Sequence, residues 1–293
     1  MRVIDLPASL DFQTSEALIT EVSASGSEKV LFDGRHLRWV DPNGMVSLLA
    51  AGTVALERAG EAPRLELSSE RDVRNYLGRM GFFEAATKVF ETDSPTRRRV
   101  ASGSDVLLEI TSITTNSDVH EVVDRVQKRA GAILSKTLSY PPTSVVKFSV
   151  ILSEVCQNII EHADAPGWVA AQAYNWSKRL GHQVVIISLA DLGRGFRGSL
   201  ADEHSARFAD RWGDAAALEA AFIHGLTRFP DSGRGQGIQQ IRKQVRRWNG
   251  FISIRSGTAR IADVPEWLDA PPMEERLSDF PGAQINIILP ERV

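Results

Sequence analysis

The sequence predicts an α/β domain followed by a second domain of the α+β or α/β class. Three observations lead to this fold class. The chain has 293 residues, of which 43% are apolar, and this is enough for more than one core. Apolar residues alternate in some segments and recur every three to four residues in others. A polar stretch at residues 91–105 separates two such regions and predicts a linker.

Composition and charge exclude several classes of protein. A formal net charge of −3 gives no overall attraction to nucleic acid or to an anionic membrane. The single cysteine, Cys156, excludes an internal disulfide, and we expect it in the core. The first residues, MRVIDLPASLDF, lack the pattern of a secretion signal, and no later run is long and apolar enough to span a bilayer. We therefore expect a cytoplasmic protein without a membrane partner.

The first domain is predicted over residues 1–90. Short apolar runs predict strands, and apolar residues at helical spacing predict helices. Strand and helix alternate along this region, which indicates an α/β domain. The predicted strands are Val3–Leu6, Lys29–Phe32 and Pro63–Leu67, and the predicted helices are Thr14–Ser23, Gly44–Ala59 and a helix capped by Ser69 that runs through Leu77.

The second domain is predicted over residues 106–293, as a mixed, mostly antiparallel sheet covered by helices on one face. The long segment Arg197–Ser232 has the length of a lid over a site. The predicted strands are Val106–Thr111, Trp168–Trp176, Gln183–Ala190, Phe251–Arg255 and Gln284–Leu289, and the helices are Asp118–Leu134, Thr143–His162, Ala215–His224 and Ile238–Trp248.

A polar stripe follows the predicted helix Thr143–His162. Glu154, Asn158 and His162 are spaced four residues apart, so they share one face of that helix. A carboxylate can orient a hydroxyl or water, and an amide oxygen is a suitable ligand for a hard cation such as magnesium. The stripe alone is also typical of a solvated helix face.

A second polar segment ends the apolar strand VVIISLA. There Asp191 is followed by Gly193 and Gly195. A carboxylate at this place can accept a hydrogen bond from an exocyclic amine, and glycines let the backbone approach a flat ring. A tight turn that ends the strand explains the same residues equally well.

A third segment, Gly233-Arg234-Gly235-Gln236-Gly237, opens the predicted helix Ile238–Trp248. Glycine-rich backbone before a helix N-terminus directs several N–H groups and a positive dipole end at one place, and this favours a phosphate. The segment has no Gly-Lys-Ser/Thr ending and follows a long loop, so it is neither a Walker P-loop nor a Rossmann turn.

Together and in this order, the three segments resemble the N, G1 and G2 boxes of the GHKL superfamily, whose ATP-binding domain has the Bergerat fold, over residues 106–290. The likeness is greatest to the small anti-sigma-factor serine kinases, because LLEITSITTNSDVHEVVDRVQKRAGAIL leads directly into the N-box helix.

This resemblance implies that ATP and Mg²⁺ are the ligands. Glu154 would be the catalytic base and Asn158 the magnesium ligand, while His162 matches the histidine that often closes the N box. Asp191 would bind the adenine amine. Gly193 and Gly195 would shape the base pocket, the segment Arg197–Ser232 would be the ATP lid, and the phosphates would be wrapped by Gly233, Arg234, Gly235, Gln236 and Gly237.

One departure from the family is visible at the last strand. The family commonly has Gly-Thr where this chain has Gly282-Ala283. A hydroxyl that would support the contact between Asp191 and adenine is therefore missing, and Thr258 is a candidate to supply it.

The first domain resembles a STAS domain, the fold of anti-sigma-factor antagonists, in the segments DLPASLDFQTSEALI, KVLFDGRHLRWVDPNGMVSLLAAG and SSERDVRNYLGRMGFF. Signalling members carry a phosphorylated serine or threonine in the turn after the central strand. Here that turn reads Asp41-Pro42-Asn43-Gly44 and has no hydroxyl. The domain is then expected to be a scaffold, a pseudo-substrate or a docking surface that packs within the chain.

The residues leave two main functions open. One is a regulatory protein of the anti-sigma-factor kinase type, either an ATPase or a protein serine/threonine kinase, which switches contacts with a regulatory protein partner. The other is a non-catalytic interaction module gated by nucleotide. Relatives of both domains often pair with other chains, so a homodimer is also open.

Two further functions are weaker alternatives. His120-Glu121 begins like the phosphoacceptor box of a histidine kinase, but the usual proline and a separate dimerisation hairpin are missing. A basic helix face could bind nucleic acid, although a solvated face explains it better. That face consists of Arg242, Lys243, Arg246 and Arg247.

Overall fold

The computed structural model describes residues 1–68, 71–92, 108–113, 139–141, 143, 146, 153, 156, 165, 167–176, 181–227 and 237–291. It combines helices with two larger sheets, in agreement with the mixed fold class predicted from the sequence. The strands are β1 (Arg2–Asp5), β2 (Ser9–Leu10), β3 (Val30–Gly34), β4 (Trp39–Val40), β5 (Arg64–Leu67), β6 (Glu91–Thr92), β7 (Leu108–Ile113), β8 (Gly167–Trp176), β9 (His182–Asp191), β10 (Phe251–Asp263) and β11 (Met273–Pro290). The helices are α1 (Ser15–Ser23), α2 (Pro42–Ala59), α3 (Arg71–Arg79), α4 (Phe82–Ala86), α5 (Gly195–Phe208), α6 (Asp214–Phe222) and α7 (Gly237–Arg247), with a 3₁₀ turn at Ala209–Arg211.

The described part of residues 1–92, called the N-terminal unit below, contains a parallel sheet in the order β1-β3-β5-β6. β2 and β4 form a separate parallel pair. The last strand, β6, extends this sheet two residues into the segment predicted as a linker.

Helix α2 has well-defined ends and an unusual degree of burial. The Asp41 side chain caps it by accepting the Gly44 N–H at 2.8 Å, and Pro42 supplies its first turn. Gly60 ends it in the left-handed conformation. Every α2 residue from Pro42 to Ala55 is buried, so the helix is covered on all sides along most of its length.

The C-terminal sheet has the order β10-β11-β9-β8-β7, and each of these pairings is antiparallel. The prediction of a mixed sheet is therefore wrong for the strands that the structure describes. Helices α6 and α7 cover one face, called the front face, where Leu218 and Ile241 share a core with Leu189. Cys156 lies in the same core and is fully buried, which confirms its expected place.

The opposite, back face of this sheet is covered by the N-terminal unit. Helix α2 contacts β8 and β9, and α1 contacts β11. Trp168, Ala190 and Phe280 belong to the same core as the apolar residues of α2. The C-terminal helices α6 and α7 thus cover one face of the sheet, as predicted, whereas α2 of the N-terminal unit covers the other face and so serves both sheets at once.

The segment Arg197–Ser232, predicted as a lid, is largely helical where it is described. Most of α5 and all of α6 fall within it, and α6 belongs to the front-face core, where Phe222 is fully buried. α6 is thus part of the core and not of a lid. Among the described helices, none combines the length and the continuous apolar character needed to cross a membrane.

Candidate functional site

Three residues form a row across the end of the C-terminal sheet. Asp191 on β9 lies opposite Ala283 on β11, which lies opposite Ser256 on β10. Side chains alternate between the faces of a sheet, so Asp191 shares the front face with Leu189, two residues earlier. The row therefore lies at the edge of the core that α6, α7 and Cys156 complete.

Asp191 is a buried carboxylate that accepts hydrogen bonds from backbone N–H groups of the described residues. It is 5% exposed, and its Oδ1 accepts the Gly193 N–H at 2.8 Å. Burial raises the pKa of Asp191 to about 6, and the N–H groups of Gly193 and Ala283 partly oppose this shift. At neutral pH the group is an ionised acceptor, and two carboxylate oxygens have room for more hydrogen bonds than these.

The turn after Asp191 is possible only because glycine occupies two tight positions. Gly195 has a φ of +64°, and a Cβ there would lie 2.5 Å from Ser256 Oγ. Gly282 has a φ of +76°, and a Cβ there would lie 1.9 Å from the Asp191 carbonyl oxygen. The turn after Asp191 and the β11 segment at Gly282 therefore lie against each other without room for a side chain between them.

The Ser256 hydroxyl joins the two segments. It donates to the Gly282 carbonyl at 2.8 Å and accepts the Phe196 N–H at 3.0 Å. Thr258, the candidate partner of Asp191, instead donates its hydroxyl to Asp214 Oδ2 at 2.8 Å. Ser256 supplies the hydroxyl of the row, and its described hydrogen bonds go to Gly282 and Phe196 and not to Asp191.

The paired strands β10 and β11 are irregular beside this row. Pairing shifts between Ser256 and Gly257, so that Ser256 lies opposite Ala283 whereas Gly257 lies opposite Phe280. Two additional β11 residues, Pro281 and Gly282, are accommodated there, and residues 278–283 are called the β11 bulge below. Such irregularities are frequent beside functional sites because they redirect side chains.

A cavity of about 540 Å³ lies between the start of α5 and the β11 bulge. Its lining includes Gly193 and Gly195 of the turn, Trp212, and Gly282 of the bulge. Asp191 is not in this lining. The turn residues Gly193 and Gly195 therefore line this cavity, whereas the Asp191 carboxylate does not.

The other predicted site residues are only partly within the described residues. Gly237 is buried and begins α7, on the same face of the sheet as Asp191. Thr143, Val146, Ser153 and Cys156 are helical, as the predicted helix Thr143–His162 requires. Outside the described residues lie Glu154, Asn158, His162, Gly233, Arg234, Gly235 and Gln236.

Two groups among the described residues have a defined binding chemistry. Asp191 offers a carboxylate acceptor beside glycine backbone, which suits an exocyclic amine and a flat ring. The N-terminus of α7 offers a positive dipole end to phosphate. Within the part of the chain that the structure describes, no group of three or more His, Cys, Asp or Glu residues could hold a metal ion.

Two contributors to this site, Ser256 and Asp214, are not predicted by the sequence patterns. The Asp214 carboxylate anchors α6 to the start of the irregular strand pair. A serine followed by a glycine near the end of an apolar run is the available signal for Ser256. Asp214 has no distinct signal, because an acid in the first turn of a helix is common.

Comparison of this sequence with protein-family models gave no match, and comparison with curated proteins gave no significant match.

Proposed function

We propose that this protein is an ATP- and magnesium-binding regulatory protein of the anti-sigma-factor kinase type. It would switch contacts with a regulatory protein partner through its nucleotide state or by phosphorylating a serine or threonine of that partner. The observation that carries the proposal is the shared front face. Asp191, Gly237 and Cys156, each from one of the three GHKL-like segments, belong to or border one core.

Each group has a distinct part in this proposal. Asp191 would accept the adenine amine, and the glycine turn would let the ring approach the backbone. The α7 N-terminus at Gly237 would face the phosphates. From the family resemblance, Glu154 would activate the attacking hydroxyl or water and Asn158 would hold magnesium, which neutralises charge on the phosphates.

Calorimetric titration with ATP and ADP, with and without Mg²⁺, tests nucleotide binding directly. Asp191→Asn should weaken ATP binding about 10- to 100-fold, because an amide N–H would face the adenine amine and leave a buried donor unpaired. The matched control is Asp33→Asn, at a similarly buried carboxylate that pairs with Arg35 in the N-terminal unit, away from this site. The control should change ATP affinity by less than about twofold. Equal affinities in wild type and Asp191→Asn would contradict the proposed role of this carboxylate.

A non-catalytic nucleotide-gated module is the alternative, and one observation favours it. The turn Asp41-Pro42-Asn43-Gly44 has no hydroxyl, and all four residues are buried. The N-terminal unit lies on the back face, opposite Asp191. The N-terminal unit therefore has no phosphoacceptor at the turn that signalling STAS domains use, which favours gating by bound nucleotide without phosphate transfer at this turn.

Turnover separates the two functions. Glu154→Ala should abolish phosphate release or partner labelling while leaving ATP affinity within about twofold, because a general base acts in the transition state and not in binding. Steady turnover by the wild-type protein with magnesium identifies an enzyme, whereas stoichiometric binding without turnover identifies a module. Loss of ATP binding by a folded Glu154→Ala variant would refute its assignment as the base.

A further inference from the structure

One stripe of helix α1 contacts the β11 bulge. Glu16, Thr20 and Ser23 follow one another at four- and three-residue steps and so share a helix face. Ser23 Oγ donates to the Asp279 carbonyl at 2.9 Å, and the Thr20 hydroxyl lies 3.2 Å from Ser278 Oγ. The N-terminal unit thereby contacts the β11 bulge, in which Gly282 lies against the Asp191 backbone.

The charged contacts of this stripe run from Glu16 to Arg255 and to Arg260. Glu16 accepts two hydrogen bonds from the Arg255 guanidinium, at 2.9 and 3.0 Å. The same guanidinium donates to the Ser278 carbonyl at 2.6 Å and to the Gly257 carbonyl at 3.0 Å. Arg255 is 4% exposed, so Glu16 is needed to balance a buried charge that joins β10 to the β11 bulge.

The bulge in turn shapes the surroundings of Asp191. Gly282 lies directly against the Asp191 backbone, and its carbonyl is held by Ser256. The Ala283 N–H contributes a hydrogen bond to the Asp191 carboxylate and lowers the pKa of this group against the effect of burial. A movement of the bulge would therefore change the environment of the carboxylate.

We infer that Glu16 is a positioning residue for the Asp191 site: through Arg255 it holds the β11 bulge where Gly282 and Ala283 support the carboxylate. The docked N-terminal unit thus completes a site on the opposite face of the sheet. The effect of Glu16 on ATP binding rests on the proposed function, whereas its effect on the surroundings of Asp191 does not.

The test compares Glu16→Gln with Glu21→Gln in the full-length chain. Glu21 is also on α1 but pairs with Arg2 inside the N-terminal unit, at 2.7 Å. The carboxyl titration of Asp191, followed by NMR without nucleotide, should have a midpoint near pH 6 in the wild type and in Glu21→Gln. In Glu16→Gln the midpoint should be higher, because the support of the Ala283 N–H is weakened.

The second readout is ATP affinity by calorimetry. Glu16→Gln should bind ATP about tenfold more weakly than Glu21→Gln, within the usual range of coupling between sites. Because Glu16→Gln leaves Arg255 without its carboxylate, Ser23→Ala is a milder second variant. Ser23→Ala removes only the hydrogen bond to Asp279. It should change the Asp191 midpoint and the ATP affinity in the same directions as Glu16→Gln, but by smaller amounts.

The outcomes separate the two proposals. If Glu16→Gln and Ser23→Ala match Glu21→Gln in titration midpoint and in ATP affinity, the positioning role is overturned and nucleotide binding stands. If no variant binds ATP but the Asp191 midpoint still rises in Glu16→Gln, the positioning role is supported and the proposed function fails. A general loss of stability would reduce the folded fraction without moving the midpoint of the folded protein.

Discussion

At the scale of single residues, two of the described buried carboxyl groups, Asp191 and Asp41, have raised pKa values. Asp191 supports the candidate site and Asp41 caps helix α2. Burial raises the pKa of Asp191 to about 6 and that of Asp41 to about 7, and backbone N–H groups only partly oppose it. Each carboxylate therefore destabilises the fold when ionised, and this cost has to be offset elsewhere.

The raised pKa values of Asp191 and Asp41 predict that the stability of the fold depends on pH. An acid with a raised folded-state pKa binds more protons in the folded than in the unfolded chain, so the free energy of unfolding falls as pH rises from about 4 to about 7. Each group should contribute a few kcal/mol, at about 1.4 kcal/mol per pH unit of pKa difference. Asp41→Asn keeps the cap and removes the charge.

Urea unfolding from pH 4 to 8 measures this effect. Asp41→Asn should be more stable than the wild type at pH 8 and nearly equal to it at pH 4. The difference between the two proteins isolates Asp41 from the other titrating groups. A constant difference across this range would show that Asp41 has an ordinary pKa.

At the scale of elements, the candidate site depends on the close approach of two chain segments. Gly282 and the Asp191 backbone leave no room for a Cβ between them. The approach also places the Ala283 N–H at the carboxylate. The geometry of this contact, and not the presence of an acid alone, gives Asp191 its environment.

Gly282→Ala should disrupt this contact. The methyl group would clash with the Asp191 carbonyl in addition to the strain of a positive φ, so we expect a loss of about 2–4 kcal/mol in the free energy of unfolding and weaker ATP binding. Gly181→Ala is the control, since Gly181 has a similar φ of +74° but no described atom lies within 4 Å of the position that its Cβ would take. The control should lose only about 1 kcal/mol and keep its ATP affinity.

Denaturant unfolding and calorimetry of these two variants check the prediction. Equal losses of stability would mean that backbone strain, and not the contact with Asp191, explains the glycine at position 282.

At the scale of the whole molecule, α2 joins the two sheets into one structure. It is buried along Pro42–Ala55, and its core continues through Trp168, Ala190 and Phe280 of the C-terminal sheet. The ion pairs of Glu16 with Arg255 and Arg260 add a polar contact between the same two parts. Separation of the N-terminal unit would expose apolar surface on both sides.

The protein should therefore unfold in one cooperative step. Differential scanning calorimetry should give a calorimetric enthalpy close to the van't Hoff enthalpy. Ala50→Glu, which places a charge in the buried part of α2, should lower the melting temperature of the whole chain. Two resolved transitions in the wild-type protein, with only the first affected by Ala50→Glu, would mean that the two parts fold independently.

Local patterns alone were enough to predict most of the described elements and to place Asp191 as an acid at the end of a strand. Periodicity located α2, β8 and β9 to within about two residues, since these segments have strong patterns and clear caps. It missed α5 and the full lengths of β10 and β11, where polar and apolar residues are mixed.

Which surfaces meet could not be predicted from local patterns. The run Val184–Ala190 is apolar at every position except Ser188, and this is the pattern of a strand buried on both faces. Local periodicity shows that a face is buried but not what covers it. That α2 covers the back face, that Ser256 holds the turn, and that Glu16 reaches Arg255 all depend on contacts between residues distant in the chain. Such contacts follow from packing and charge pairing in three dimensions, which no local pattern encodes.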